Sequence, residues 1–129
     1  MTQKLDLYKC SICGQIVEVV IAKQGTLACC NTKMELMEAN TTEASTEKHI
    51  PVIEINGDEK LIRVGSVPHP MEEAHYIQFI EVISKDKTII RRKYLSPNEE
   101  PIMKAIANCS ADIIVRELCN LHGLWQGDE

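Results

Sequence analysis

The positions of the cysteines and histidines constrain this 129-residue chain more than any other feature of its sequence. Four of the six cysteines lie in the first thirty residues, whereas no histidine occurs before His49. In a reducing compartment, clustered cysteines indicate metal binding or catalysis more often than disulfides. The segregation therefore predicts two sites of different chemistry, one built from thiolates alone and one built mainly from imidazoles.

The composition excludes several classes of protein. Hydrophobic residues make up 44% of the chain and charged residues 26%, the balance of a globular protein rather than a disordered one. The longest apolar runs are too short to span a bilayer, and the N-terminal segment lacks the apolar region of a signal peptide. We therefore predict a cytoplasmic protein with no membrane partner. A net charge of −5 argues against nucleic acid as a partner.

The distribution of apolar residues predicts two domains. Residues 1–37 form a first unit, which is too short to fold by core burial alone and so needs a metal or disulfides. Residues 38–48 are polar and poor in large apolar side chains, so we predict a linker there. Residues 49–129 then form the second domain.

The sequence patterns favour strands over helices. In the first unit, Ile16–Ile21 is β-branched and predicts a strand, and Lys23–Thr26 predicts a hairpin turn before a second strand at Leu27–Ala28. Regular short strands separated by turns favour an antiparallel sandwich in the second domain. Its predicted strands are 50–55, 61–64, 76–84, 87–95 and 112–118. The segment 102–118 is ambiguous, because its Ala, Met, Lys and Glu content favours a helix and its isoleucines favour a strand.

The first predicted site consists of four cysteines. Cys10 and Cys13 have the Cys-x-x-Cys spacing, and the adjacent pair Cys29 and Cys30 follows fifteen residues later. Four thiolates imply a tetrahedral zinc or iron ion, and Gly14 allows the tight turn that such a site needs. Adjacent cysteine side chains must splay apart to reach a common ion. The spacing does not decide between iron and structural zinc, and disulfides remain the less favoured alternative.

The second predicted site combines imidazoles with one thiolate. Cys119 and His122 have a spacing found in metal sites, and two prolines flank His69 and hold it stiffly. A single histidine is most often a surface or core residue, so the prediction depends on the whole set. Five ligands exceed the four of structural zinc, and the set suits non-haem iron with an open sixth position. The candidate ligands are His49, His69, His75, Cys119 and His122.

Four strings of the sequence, taken together, resemble the desulfoferrodoxin family of two-iron superoxide reductases, and they cover the chain in the right order. The strings are Cys10–Cys13 with Cys29-Cys30, Glu47–Pro51, His69–Ile77 and Cys119–Gly123. The resemblance implies an all-β fold, in which a small desulforedoxin-like domain precedes an immunoglobulin-like antiparallel β-sandwich. It also implies one iron bound by the four cysteines, and a catalytic iron with four equatorial histidines and axial Cys119.

The resemblance also implies an activity and partners. The activity is one-electron reduction of superoxide to hydrogen peroxide, with the four-thiolate iron as an electron relay. Family members are homodimers that take electrons from rubredoxin-type donors. Near the catalytic iron, Lys48 would attract superoxide and Glu47 would bind ferric iron after peroxide leaves. From the residues alone, they could equally be a surface lysine and a linker carboxylate.

Two features depart from the family pattern, and two alternative functions stay open. Phe79 lies where the family often has tryptophan, and Cys109 matches no ligand and is predicted to fill a small buried space. The first alternative is an electron-transfer protein without catalytic turnover. The second is a zinc-stabilised interaction module, which would be colourless, whereas ferric thiolate centres absorb visible light.

Overall fold

The computed structural model describes residues 1–41, 49–57, 59–65, 69–104 and 112–128. All regular secondary structure in these ranges consists of β-strands, which confirms the all-β prediction. The described residues accordingly contain no helix long and apolar enough to cross a membrane. The contacts divide the chain into two compact units, Met1–Glu38 and Ala39–Glu129. The predictions for Glu47, Lys48, Cys109 and most of the linker fall outside the described residues.

The first unit contains five short strands around a very small core. The strands are β1 (Leu7–Lys9), β2 (Ile16–Glu18), β3 (Ala28–Cys29), β4 (Thr32–Lys33) and β5 (Glu35–Leu36). β1 lies between β2 and β5 in an antiparallel sheet, and β3 pairs only with β4. The buried side chains are Leu5, Leu7, Cys10, Val19 and Met34. So small an apolar core fits the expectation that a metal contributes to folding.

The predicted hairpin between strands at Ile16–Ile21 and Leu27–Ala28 is wrong. β2 ends at Glu18 and pairs with β1, while β3 pairs with β4. Val20 and Ile21 are 67% and 75% exposed, so their β-branched side chains find no packing surface that would extend the strand. Strand propensity depends on such neighbours, and here they are absent among the described residues.

The second unit is a sandwich of two antiparallel sheets. Its strands are β6 (Pro51–Asn56), β7 (Glu59–Val64), β8 (Ile77–Ser84), β9 (Ile90–Tyr94), β10 (Ile102–Lys104), β11 (Ile113–Cys119) and β12 (Gly123–Asp128). One sheet has the order β10-β7-β6 and the other β12-β11-β8-β9. Side chains from both sheets form one core, which includes Ile62, Met103, Ile80 and Val115. This architecture confirms the predicted sandwich.

The ambiguous segment 102–118 contains two strands in its described parts, β10 and β11. β9 starts at Ile90 rather than at Lys87, because Lys87 has a φ of 60° and belongs to the preceding turn. β10 and β12 were not among the predicted strands. Both pair along their full length with a neighbouring strand, so tertiary contacts rather than local propensity explain them.

A buried ionic cluster joins three strands of the larger sheet. Glu81 on β8 is fully buried, and its two carboxylate oxygens accept hydrogen bonds from Arg92 on β9 and Arg116 on β11. The donor–acceptor distances are 2.6 Å for Arg92 Nε and 2.9 Å for Arg116 Nε. Because a buried carboxylate needs such partners, the cluster fixes the mutual position of these strands. Two of them, β8 and β11, lead into the second metal site.

Candidate metal centres

The four cysteine sulfurs of the first unit lie together in the geometry of a tetrahedral metal site. Their donor atoms are all within 4.8 Å of one another. The Sγ atom of Cys29 is 3.7 Å from that of Cys13 and 3.9 Å from that of Cys30. A regular tetrahedron with metal–sulfur bonds of about 2.3 Å has edges of about 3.8 Å. The observed distances therefore fit a four-thiolate site.

Backbone conformation explains how the adjacent cysteines reach one point. Cys29 ends β3, whereas Cys30 and Asn31 have φ values of 53° and 59°, in the left-handed region. This turn redirects the second side chain, so the two sulfurs converge instead of alternating across a strand. Gly14 has a φ of 82° and its N–H donates to the carbonyl of Cys10 at 3.0 Å. The predicted turn at Gly14 is therefore confirmed.

The thiols of this site compete for negative charge. Backbone N–H groups of Cys13 and Ile12 donate to Cys10 Sγ at 3.5 Å and 3.4 Å, and they lower the pKa of Cys10 to about 6. The pKa of Cys29 is raised to about 12, first because its thiol shares a hydrogen bond with Cys10. The thiol of Cys10 thus loses its proton readily, whereas the thiol of Cys29 holds its proton. A cation at the centre stabilises the thiolate form of all four, which fits a bound metal.

The four histidines of the second unit form a closed square of rings. His49 neighbours His69 and His122, with ring centroids at 4.6 Å and 4.8 Å. His75 completes the square at 4.8 Å from His69 and 5.0 Å from His122. Each ring lies at 68–80° to its two neighbours. This is the arrangement in which four imidazole nitrogens can face one point without ring clashes.

The nitrogen distances within the square fit a single ion. His49 Nε2 is 3.0 Å from His69 Nε2 and 3.1 Å from His122 Nδ1. Two nitrogens that bind one ion at right angles, at about 2.1 Å each, lie about 3.0 Å apart. His69 Nδ1 is 2.7 Å from the carbonyl of Pro70, to which it donates when Nε2 faces the ion. Such a bond fixes the tautomer of a metal-binding histidine.

Cys119 supplies the fifth donor from the protein interior. Its Sγ is 3.8 Å from His122 Nδ1, and its side chain belongs to the hydrophobic core of the sandwich. The five donor atoms all lie within 4.8 Å of one another. His49, His69 and Cys119 are buried, whereas His122 is exposed, so the site lies between the core and the surface. A thiolate with four imidazoles suits a transition metal such as iron.

Both donor sets contain the residues that the sequence predicted as ligands, and all nine are among the described residues. The sequence did not single out Trp125, the only tryptophan. Its indole stacks on the ring of His49 at 4.7 Å and 15°, and its Nε1 donates to the carbonyl of His122 at 3.1 Å. In the sequence, the one sign of its role is that it lies three residues after the candidate ligand His122. Trp125 thus contacts the ring of His49 and the backbone of His122.

The fold and the two donor sets define a class of protein. It is a two-site metalloprotein, in which a small four-thiolate unit precedes an antiparallel β-sandwich with a site of four histidines and one cysteine.

Comparisons with known proteins identify the family. The desulfoferrodoxin profile matches residues 41–128, and that of the desulfoferrodoxin N-terminal domain matches residues 2–37. A desulfoferrodoxin homolog from Archaeoglobus fulgidus is 51% identical over 127 residues, 98% of each chain. The superoxide reductase from Treponema pallidum superposes with a TM-score of 0.75 at 28% identity, over 98% of this chain and 99% of its own. This chain therefore belongs to the desulfoferrodoxin family, and its two donor sets match the two iron centres of that family.

A shorter solved structure matches about two thirds of this chain. The superoxide reductase from Giardia intestinalis, described as a one-iron enzyme, superposes with a TM-score of 0.56 at 29% identity. It covers 65% of this chain and 98% of its own.

Proposed function

We propose that this chain is a superoxide reductase, which reduces superoxide by one electron to hydrogen peroxide and thereby detoxifies it. The observation that carries the proposal is the closed square of four imidazoles with the Cys119 thiolate at donor distance. The names of the similar proteins from Treponema and Giardia support the same activity. Nine residues are the proposed iron ligands: Cys10, Cys13, Cys29 and Cys30 in the first unit, and His49, His69, His75, Cys119 and His122 in the second.

The side chains of the second site each contribute to this chemistry. When bound, ferrous iron supplies the electron and leaves one coordination position for a small anion. Four neutral imidazoles and one thiolate give the ferrous site a formal charge of +1, which attracts superoxide. Cys119 donates electron density from the core, as thiolates do in haem proteins. The stacked indole of Trp125 covers His49 and keeps water from that side of the ring.

The four-thiolate centre is proposed as the electron relay. Cys10 is buried, but Cys13 and Cys30 are exposed, so one edge of the centre is open to an electron-transfer partner. A rubredoxin-type donor fits this arrangement, because it presents a similar four-thiolate centre. We also propose that the protein is cytoplasmic and, like its family, a homodimer, which sedimentation of the iron-loaded protein would test.

Glu47 and Lys48 are proposed to act at the catalytic iron. They directly precede His49 in the sequence, so both lie within one or two residues of a proposed ligand. A carboxylate is a hard ligand suited to ferric iron, which gives Glu47 its proposed role after peroxide leaves. An ammonium group provides a local positive charge in a protein with a net charge of −5, which gives Lys48 its role in attracting superoxide.

We expect Lys48→Ile to lower the second-order rate with superoxide by about tenfold at low salt, because local charge steers an anion to its site. The wild-type rate should fall as salt is added, and the rate of the variant should fall less, since the Debye length shrinks to about 8 Å at physiological ionic strength. Pulse radiolysis at several salt concentrations measures both slopes.

Lys104→Ile is the matched control, because Lys104 is an exposed lysine of the same unit on β10. It removes the same charge and should leave the rate and the salt slope nearly unchanged. If Lys48→Ile and Lys104→Ile behave alike, Lys48 has no special role in attracting superoxide.

Counting electrons tests the proposed activity. Superoxide is generated steadily in the presence of a reduced donor, and donor oxidation, peroxide and dioxygen are measured together. Superoxide reduction consumes one donor electron and forms one peroxide for each superoxide removed, with no dioxygen from this step. Release of dioxygen without donor consumption would identify a dismutase instead. If the protein does not accelerate the removal of superoxide at all, it is not a catalyst of this reaction.

A further inference from the structure

One side chain joins the two segments that carry ligands of the second site. Asn120 lies in the turn between Cys119 and His122. Its Oδ1 accepts a hydrogen bond from the N–H of Tyr76 at 2.9 Å, and its Nδ2 donates to the carbonyl of Ala74 at 3.0 Å. Its backbone N–H also donates to the carbonyl of Tyr76 at 3.2 Å. Three hydrogen bonds thus connect a single residue to a segment more than forty positions away.

The partners of these bonds directly precede and follow His75 in the sequence. The amide of Asn120 offers one donor and one acceptor, as a peptide group does, and pairs with the backbone on both sides of that histidine. The backbone of His75 is thereby tied to the turn that begins at Cys119. His75 and Cys119 would both hold the iron of the proposed site, so the amide sets the position of one relative to the other.

Strand pairing links Cys119 to Ile77 but stops two residues short of His75. β11 and β8 pair with a register shift between Leu118 and Cys119, so that Leu118 faces Phe79 but Cys119 faces Ile77. Their ladder ends there, one residue before the Asn120–Tyr76 contact. Beyond it, the next segment is held by the bonds of Asn120.

The loop that carries His75 is closed by its own backbone hydrogen bonds. His75 and Glu72 exchange two backbone hydrogen bonds of 2.9 Å and 3.0 Å, which close residues 72–75 into a tight turn. A closed turn transmits the position of its anchor to the side chain it carries. The side-chain amide of Asn120 attaches this turn to the segment that carries Cys119.

We propose that Asn120 is a positioning residue, which presets the distance between His75 and Cys119 before iron binds. It is not one of the five donor residues of the second site. Because outer groups that hold ligands in place contribute to metal affinity, Asn120 should control the affinity of the second site and the bonding of the Cys119 thiolate. The inference rests on the iron site of the proposed function, and not on the turnover of superoxide.

The test compares two variants of Asn120 with a matched structural control. Asn120→Ala removes both side-chain bonds, and Asn120→Ser keeps a small polar turn residue that is too short to make both. Asp86→Ala is the control, because Asp86 accepts hydrogen bonds from Ser84 and Thr88 in the turn at the other end of β8. It removes a comparable set of turn bonds without touching a ligand segment.

Ferrous iron is titrated anaerobically into each protein, and binding is followed by the fluorescence of Trp125. This is the only tryptophan and it stacks on His49, so its emission reports on the second site. We expect both Asn120 variants to bind ferrous iron about 10–100-fold more weakly than the parent. After oxidation, the thiolate-to-iron absorption band should shift in both variants. Asp86→Ala should lower the melting temperature of the iron-free protein and leave affinity and band unchanged.

An unchanged affinity and band in the Asn120 variants would overturn the inference, and so would an equal shift in Asp86→Ala. If Asn120→Ala does not fold, Asn120→Ser decides by the same two measurements. The titration contains no superoxide, so a parent protein that binds iron but fails to reduce superoxide would overturn the proposed activity alone.

Discussion

His75→Ala is expected to abolish superoxide reduction while the four-thiolate centre keeps its full absorption. His75 is one corner of the histidine square, 4.8 Å and 5.0 Å from the neighbouring rings. A methyl group cannot replace an imidazole ligand. Loss of an outer-shell partner typically lowers metal affinity by about 10–100-fold, and loss of a ligand should lower it further. Iron content and visible spectra measure occupancy, and pulse radiolysis measures the rate.

Glu73→Gln is the control for His75→Ala, because Glu73 is exposed in the same turn and is not a proposed ligand. It should keep the iron, the spectrum and a rate close to that of the parent. If His75→Ala also keeps them, His75 is not a ligand, and the square of histidines has a structural role instead.

Cys13→Ser is expected to have the opposite pattern of effects. Cys13 Sγ lies 3.7 Å from Cys29 Sγ at one edge of the first site, and a serine hydroxyl is a poor replacement for a thiolate ligand of soft metals. The absorption of the four-thiolate centre should disappear. The rate of pre-reduced protein with superoxide should stay within about twofold of the parent, because the two sites share no residues and belong to separate compact units.

Ser11→Ala accompanies Cys13→Ser as a control, since Ser11 is an exposed residue of the same Cys-x-x-Cys turn. It should keep both absorption spectra. Loss of the catalytic iron in Cys13→Ser would contradict the independence of the two sites.

The ligand candidates were predictable because metal chemistry restricts which residues can serve. Cys-x-x-Cys and Cys-x-x-His are local patterns, and the structure brings their members together as the patterns require. Sequence order also separated the two donor sets correctly. Neither result depended on predicting strand boundaries.

The contacts around the ligands were not predictable from local patterns. Asn120 bonds to residues 44 and 46 positions away, and Trp125 stacks on a histidine 76 positions earlier in the sequence. The contact of Asn120 follows from the register of β8 and β11, and that of Trp125 follows from the packing of β12 near β6 of the other sheet, and no short string encodes either. The same reason explains why Val20 and Ile21 were wrongly assigned to a strand, because their side chains have strand propensity but stay exposed.

A single-turnover experiment tests the central claim most directly. The protein is fully reduced and given a pulse containing less superoxide than catalytic sites. We predict that the ferric thiolate band of the second site forms at once, with one electron lost and one peroxide formed for each superoxide. Oxidation of the four-thiolate centre with no earlier ferric band at the second site, or no oxidation at all, would contradict the assignment of catalysis to the site of four histidines and Cys119.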